Sequence, residues 1–535
     1  MNNDVPALRS PITRDRQTVA PHPGSGAAAL QSTYPWRDGA WMESRALHSS
    51  PRSPIAIYAV HLNSWMRLLP EGSRAPAYRE LAPQLADYVQ RHGFTHLQLS
   101  LTSSPLPDPR FHSNSSNQEQ GQGGPQDFMF LIDFLHQESI GVILSWSPGP
   151  ARESNEAGTA GQPPADFLIP GDGPSGQGGA RAFDFACPEA RQFLLNHARS
   201  WLADYHIDGL FVDLDLLKRP DAESAQENSA AVEFLQQLNE MIAADFPAVN
   251  TYAMESSGWS HVTHAVQDGG LGFTCKWDME WRRDTLSYLS QDPLFRKYHH
   301  GQFQRRERNA RETGKRVLPL AEGSQGPSIL SMMPGDDWQR FANLRLLLAY
   351  QSAWPGSKLL FMGTEFGQWN RWDPNKSLDW HLIQPRNAHN SLQKLIGHLN
   401  WLYRHEPALH RYHDSADAFE WVDKDDADQS TLAFMRKSDT GTQDDVVLAL
   451  FNFTPVPRHN RRFGVPRGGY WREILNTDSV DYGGSGQGNL GGLESAPLGW
   501  NSQTHSLHVT LPPLGAVFFR HAATDPGPIK TPIGS

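Results

Sequence analysis

Eight short apolar runs punctuate this chain, and most are followed by a longer amphipathic stretch. The runs are IAIYAVHL (55–62), HLQLSL (96–101), GVILSW (141–146), GLFVDLD (209–215), VNTYAME (249–255), GFTCKW (272–277), RVLPLA (316–321) and KLLFMG (358–363). A short continuous apolar run bounded by turn-forming residues suits a strand buried on both faces. Between the runs, YRELAPQLADYVQRHG, EARQFLLNHARSWLADYH, AAVEFLQQLNEMIAADF and DWQRFANLRLLLAYQSAW repeat apolar residues at three- and four-residue spacing. That is the period of a helix with one buried face. Alternation of this kind places strands side by side and parallel, and eight units predict a closed (β/α)8 TIM barrel, with an open doubly wound sheet as the alternative. In a closed barrel the working residues stand at the C-terminal ends of the strands.

From about residue 412 the texture changes to TLAFMRK, VVLALFNF, WREILN and HSLHVTLPPLGAVFFR, separated by Gly, Asp and Asn turns. Short strands so spaced predict an antiparallel β-sandwich. Both ends, exemplified by HPGSGAAALQS and TDPGPIKTPIGS, are polar or rich in small residues and lack periodicity. The expected organisation is a disordered tail over 1–34, the barrel over 35–411, the sandwich over 412–521 and a second disordered tail over 522–535.

Composition removes several classes of function. Lys plus Arg number 47 against 58 Asp plus Glu, a balance of −11 that opposes binding to a phosphate backbone, so nucleic acid is not an expected partner. The start, MNNDVPALRSPITRDRQTV, has no apolar leader core, and no run is long enough to span a bilayer. No membrane partner and a cytoplasmic location are expected. Two cysteines, Cys187 and Cys275, are too few for a disulfide framework or a thiolate metal site and are read as reduced core thiols. His299 and His300 lack further ligands, and no phosphate-cradling glycine loop follows a strand, so no metal and no cofactor are expected.

The motifs IAIYAVHLNSW, YRELAPQLADYV, GFTHLQL, YHIDGLFVD, RKYHH, MPGDDWQRFANLRLLLAY, KLLFMGTEFGQW, SLDWHL and NFTPVPRHNRRFGVP resemble the bacterial 1,4-α-glucan branching enzymes of the α-amylase superfamily, glycoside hydrolase family 13. The resemblance runs from about Tyr34 to Arg520, and the N-terminal carbohydrate-binding module usual in such enzymes is not seen ahead of it. It implies a retaining transglycosylation, in which an α-1,4 bond is cut and the chain rejoined as an α-1,6 branch. That reaction needs a carboxylate nucleophile and a protonated carboxyl to assist the leaving oxygen. The family also uses a third acidic residue that grips the sugar hydroxyls.

Most positions that the resemblance assigns to this chemistry are occupied by other residues. Strand 4 retains Asp213 at the nucleophile position, but the Arg two residues earlier is Phe211, whose apolar ring should raise the carboxyl pKa. The acid/base position on strand 5 is Met254, and Glu255 beside it should face the other side of the strand. After strand 7 the family's His and Asp are Glu322 and Gly323, and after strand 3 its Asp and His are Ser145 and Pro150. The loop after strand 2 reads HSNSSNQEQGQGGPQ and has no aromatic to stack on a sugar. Candidate glucan contacts are Tyr58, His61, Glu365 and Trp369. Three readings follow: an inactive homologue that binds α-glucan or a protein partner in glycogen metabolism; an active branching transferase using Asp213 with Glu255 or Glu322; and a scaffold that binds no sugar.

Overall fold

The computed structural model describes residues 34–50, 52–68, 74–100, 123–146, 148, 151–152, 165–170, 180–214, 228–255, 259, 261–304, 315–321, 326–411, 418–438 and 445–522. Both expected tails apart from Tyr34 and Ala522, most of the polar loop after strand 2, and the positions of Pro150, Glu322 and Gly323 lie outside these residues.

All eight apolar runs form strands. They are β1 (Ala56–His61), β2 (His96–Ser100), β3 (Gly141–Ser145), β4 (Gly209–Asp213), β5 (Asn250–Met254), β6 (Cys275–Trp277), β7 (Lys315–Leu320) and β8 (Ser357–Phe361). Each pairs in parallel with its neighbours, and β8 pairs with β1 to close the barrel, so the open sheet is excluded. Helices α1 (Tyr78–Arg91), α2 (Pro125–Gln137), α3 (Pro188–Ala203), α4 (Ser229–Asp245), α5 (Met279–Leu289), α6 (Asp337–Ala353) and α7 (Ala388–His405) follow every strand except β5. Among the described residues between β5 and β6 the one helical element is a single turn, Val266–Asp268. A small sheet of Ala151–Arg152, Leu168–Pro170 and Ala180–Phe183 follows β3 on the side where the strands end.

The opposite end of the barrel is plugged by the helix Gly39–His48. A Cβ on Gly141 would stand 2.4 Å from the His96 ring and 3.2 Å from the Trp41 ring, so glycine is the residue that fits beneath this plug. Trp41 Nε1 donates to Asp208 Oδ1 at 3.0 Å, and His136 lies between Asp208 (3.0 Å) and Asp38 (2.8 Å). Arg45 pairs with Asp208 at 3.2 Å and His206 contacts Asp38 at 2.8 Å. Buried charges persist only when paired in this way. Burial alone would push the Asp38 and Asp208 carboxyls up; hydrogen bonds and charge from His136 instead hold Asp38 far below the carboxylate range and Asp208 at about 2. Burial would lower His136, but Asp208 and Asp38 outweigh it and raise its pKa.

The C-terminal unit has strands β9 (Phe419–Asp423), β10 (Thr431–Lys437), β11 (Val446–Asn452), β12 (Arg458–Val465), β13 (Tyr470–Asn476), β14 (Gly492–Glu494), β15 (His505–Leu511) and β16 (Gly515–Ala522). A six-stranded sheet in the order β9-β10-β11-β16-β13-β14 faces the β12-β15 pair across a core that includes Met435, Leu450, Phe463, Trp471, Val509 and Phe519. Helix α6 is buried at every position from Phe341 to Ala353 because it lies between the barrel and this sandwich. Buried arginines fasten the contact through backbone carbonyls. Arg296 donates to Phe453 O at 2.9 Å, Arg345 to Thr477 O at 3.0 Å and Arg436 to Ala353 O at 2.8 Å.

Candidate functional site

Residues paired across a sheet point to the same face, so register decides what lines the barrel mouth. Asp213 pairs with Met254, Phe211 with Tyr252, and Ser145 with Phe211. This face is the interior. The rings of Phe211 on β4 and Trp277 on β6, two strands apart, meet with centroids 4.5 Å from each other. A Cβ on Gly209, lower on the same face, would lie 2.9 Å from the Tyr252 ring and 3.3 Å from Ile143.

Among the described residues the inner rim is therefore mostly neutral. Ser145, at a position the resemblance gives to an Asp, accepts from Gln98 Nε2 at 3.1 Å and shares a 3.2 Å hydrogen bond with Ser100. Phe211 is 8% exposed and meets the Trp277 ring at a tilt of 36° where a guanidinium was expected. Asp213 is half-buried, and the side chain paired with it is the thioether of Met254. Glu255, also half-buried, is the first residue after β5, where continued strand alternation would turn it away from the face that Asp213 and Met254 share.

Of the four candidate glucan contacts, one touches a residue that lines a pocket at the mouth. His61 ends β1 on the inner face, and its Nδ1 lies 2.8 Å from Ser64 Oγ. Trp372 donates from Nε1 to the same Ser64 Oγ at 3.0 Å, and its ring meets His61 edge-on at 5.3 Å and Phe361 at 5.1 Å. Burial, aided by the Arg67 charge, pushes His61 down to about 4, so the imidazole is neutral at physiological pH. Beside it the loop after β8 encloses about 570 Å³ among Gln368, Asn370, Arg371, Trp372, Asp373 and Asp379. Planar amides, a guanidinium, carboxylates and an indole are the groups that hold a polyhydroxylated ring. Trp372 escaped the sequence reading; its only signal there was an aromatic in a polar loop after an apolar run. Trp369 lies elsewhere, edge-on to Phe341 at 5.9 Å and under the Arg340 guanidinium at 5.8 Å.

Tyr58 and Glu365 correct the expectation that they meet glucan: both are 0% exposed. Tyr58 is on the outward parity of β1, opposite to His61, and faces α1. There Trp65 donates to Tyr58 Oη (3.3 Å), Tyr58 to Glu365 Oε1 (2.8 Å), Gln393 to Tyr88 Oη (2.9 Å), and Tyr88 to the same Glu365 oxygen (2.7 Å). Two donor chains thus converge on one sealed carboxylate. Burial drives its pKa up to about 7, although the phenols and the backbone of Glu365 and Gly363 work against the rise. The folded protein then keeps a proton on Glu365 between about pH 4.5 and 7 that the unfolded chain has released, so its contribution to stability falls as pH rises through that window. Urea unfolding should show a parent-minus-Glu365→Gln difference that changes by on the order of 3 kcal/mol between these limits. A difference that stays flat would contradict the assignment.

Cys275 is buried in β6, but Cys187 is a second correction to the sequence reading, since it stands half-exposed at the N-terminus of α3 and not in the core; neither forms a disulfide. Among the described residues no group of His, Cys, Asp and Glu is placed to hold a metal ion, and no helix is long and apolar enough to cross a membrane.

Comparison with known proteins extends this geometry. Residues 421–522 match the family described as the alpha amylase C-terminal all-beta domain. Over 93% of its length the chain is 43% identical to a 1,4-alpha-glucan branching enzyme of Aquifex aeolicus, covering 81% of that protein. It is 41% identical to the enzyme of that name from Cellvibrio japonicus, over 93% of this chain and 69% of the relative. Among solved structures, the alpha-amylase of Geobacillus thermoleovorans complexed with acarbose superposes with a TM-score of 0.61 at 14% identity, covering 89% of this chain and 99% of the amylase. A pullulanase from Bacillus acidopullulyticus gives 0.62 at 15% identity over 88% of this chain and 61% of its own. At such identities the structural likeness speaks for the fold.

Proposed function

Given that the chain belongs to the family of 1,4-alpha-glucan branching enzymes, we propose that it is a catalytically silent member that holds α-glucan at the barrel mouth without rearranging it. The observation that carries this reading is the register of β4 on β5, in which the residue paired with Asp213 is Met254. A retaining reaction needs a second carboxyl at about 5–5.5 Å from the nucleophile, and a thioether neither donates nor accepts the proton that the leaving oxygen requires. Phe211 against Trp277 adds an apolar floor where a cation would favour the ionised nucleophile. Binding is supported by the pocket at Gln368, Asn370 and Trp372, the last backed by His61, whose groups suit neutral sugar hydroxyls and a pyranose face. We place this activity in the cytoplasm and in glycogen metabolism, with any protein partner unidentified.

The test is incubation with amylose followed by debranching and chain-length analysis. The parent is expected to give no α-1,6 branches above an Asp213→Ala control, while glycogen retards both in affinity electrophoresis. Branching by the parent that Asp213→Ala abolishes would overturn the silent reading in favour of a transferase. Migration unretarded by glycogen would favour a scaffold that binds no sugar.

A further inference from the structure

The outer wall of the barrel carries a second concave surface, whose upper end adjoins the mouth through Trp65 and Trp380 and which runs from there down between two helices. Helices α1 and α7 are neighbours in the ring because β1 closes on β8, and between them lies a groove of about 500 Å³. This is within the range of about 300–1,000 Å³ usual for small-ligand sites. Its upper end is aromatic. Trp380 is half-buried, edge-on to Trp65 at 5.1 Å and to Tyr88 at 5.4 Å, and its Nε1 is already engaged by Trp65 O at 2.7 Å. The indole thus has no polar demand of its own to meet.

The walls are polar but close to neutral. Asp87 and Arg91 pair one helical turn apart on α1, and burial pushes His92 down to about 4, which leaves the imidazole uncharged. Gln84 and Asn390 line opposite sides, and Lys394 stands exposed at the rim. Gln393 and Tyr88 form the back. The donor chain from Gln393 through Tyr88 to the sealed Glu365 holds both in one orientation before any ligand arrives. A site with one apolar aromatic face, fixed amides and little net charge suits a neutral polyol with an apolar ring face, not an anion or a peptide helix.

We infer that this groove is a separate binding site for a short run of α-1,4-linked glucosyl units, independent of the barrel mouth. The inference rests on the reading that the chain binds α-glucan. It also explains what the buried chain is for: Glu365 and Tyr58 serve glucan from behind the surface, as positioning groups for Tyr88 and Gln393.

Hydrogen–deuterium exchange on the full chain with maltoheptaose tests it. Protection is expected in two separate regions, residues 368–379 beside the mouth and residues 84–92 with 390–397 along the groove. Trp380→Ala should remove the groove protection, weaken glycogen binding about tenfold and spare the mouth, with Trp380→Phe restoring most of the loss. The surface double variant Gln84→Ala/Lys394→Ala should act in the same direction without touching the core. Protection confined to 368–379, unchanged by either groove variant, would overturn this inference and leave the mouth reading intact. Protection in neither region would overturn both.

Discussion

Replacing His136 by alanine is expected to lower the stability of the barrel by about 3–5 kcal/mol, the usual cost of removing one member of a buried ionic pair. The imidazole is sandwiched between Asp38 and Asp208, both of which are nearly inaccessible. Without it two carboxylates share Arg45 and His206, and the helix Gly39–His48 loses the anchor that lets Trp41 close the barrel. For a unit of roughly 500 residues the entropy of unfolding is on the order of 1 kcal/mol per kelvin, so the Tm should fall by about 3–5 °C. The pH profile gives a second readout. The raised pKa of His136 means that its stabilisation is full below its ordinary value of 6.5 and fades as pH rises through the raised one. The depressed Asp38 and Asp208 contribute above their ordinary value of 3.8 and fade as pH falls. The loss on His136→Ala should therefore be largest between about pH 4 and 6.5, measured by urea unfolding across that span. A variant with the parent's Tm at pH 6 would show that the plug is held by packing alone.

The double variant Phe211→Arg/Met254→Glu is expected to gain a covalent glycosyl adduct on Asp213 when exposed to a 5-fluoro-glucosyl fluoride, whereas the parent forms none. Adjacent strands lie about 4.8 Å apart, so a carboxyl at position 254 would stand near the separation of about 5–5.5 Å that a retaining pair requires. The introduced cation would replace the Phe211 ring below Asp213 and favour its ionised form. Fluoride departs without protonation, so the adduct reads the restored nucleophile, and the restored acid is read on maltoheptaose, whose cleavage should rise by about 10²–10⁴, the usual worth of a positioned general acid. Branch transfer should remain weak, since Gly323 still offers no acceptor to the sugar hydroxyls. A folded double variant that forms the adduct but cleaves no maltoheptaose would mean that position 254 does not present its side chain to Asp213.

The barrel strands were legible because both faces of each are buried, which demands a continuous apolar run. GVILSW and GLFVDLD carry that demand in their composition. The substituted positions at the strand ends could be read one by one, since a strand end is reached by counting along its own run. Tyr58 and Glu365 could not. They lie 307 residues apart and meet only because β1 closes on β8, and the chain does not state which wall of the barrel they share. The meeting of Trp372 with Ser64 and His61, across 308 residues, was hidden for the same reason.

By itself, then, the sequence determined the alternation of strand and helix, the sandwich that follows, and which chemical groups stand at each strand end. Those properties depend on local periodicity and on the identity of single residues. The tertiary structure alone decided that Met254 is the partner of Asp213, that Phe211 and Trp277 floor the mouth, that Trp372 walls a pocket there, and that Glu365 is sealed behind Tyr88. Each is a matter of register and closure. One residue of slip would turn a side chain to the opposite face of its strand, and only the closed set of eight pairings removes that freedom.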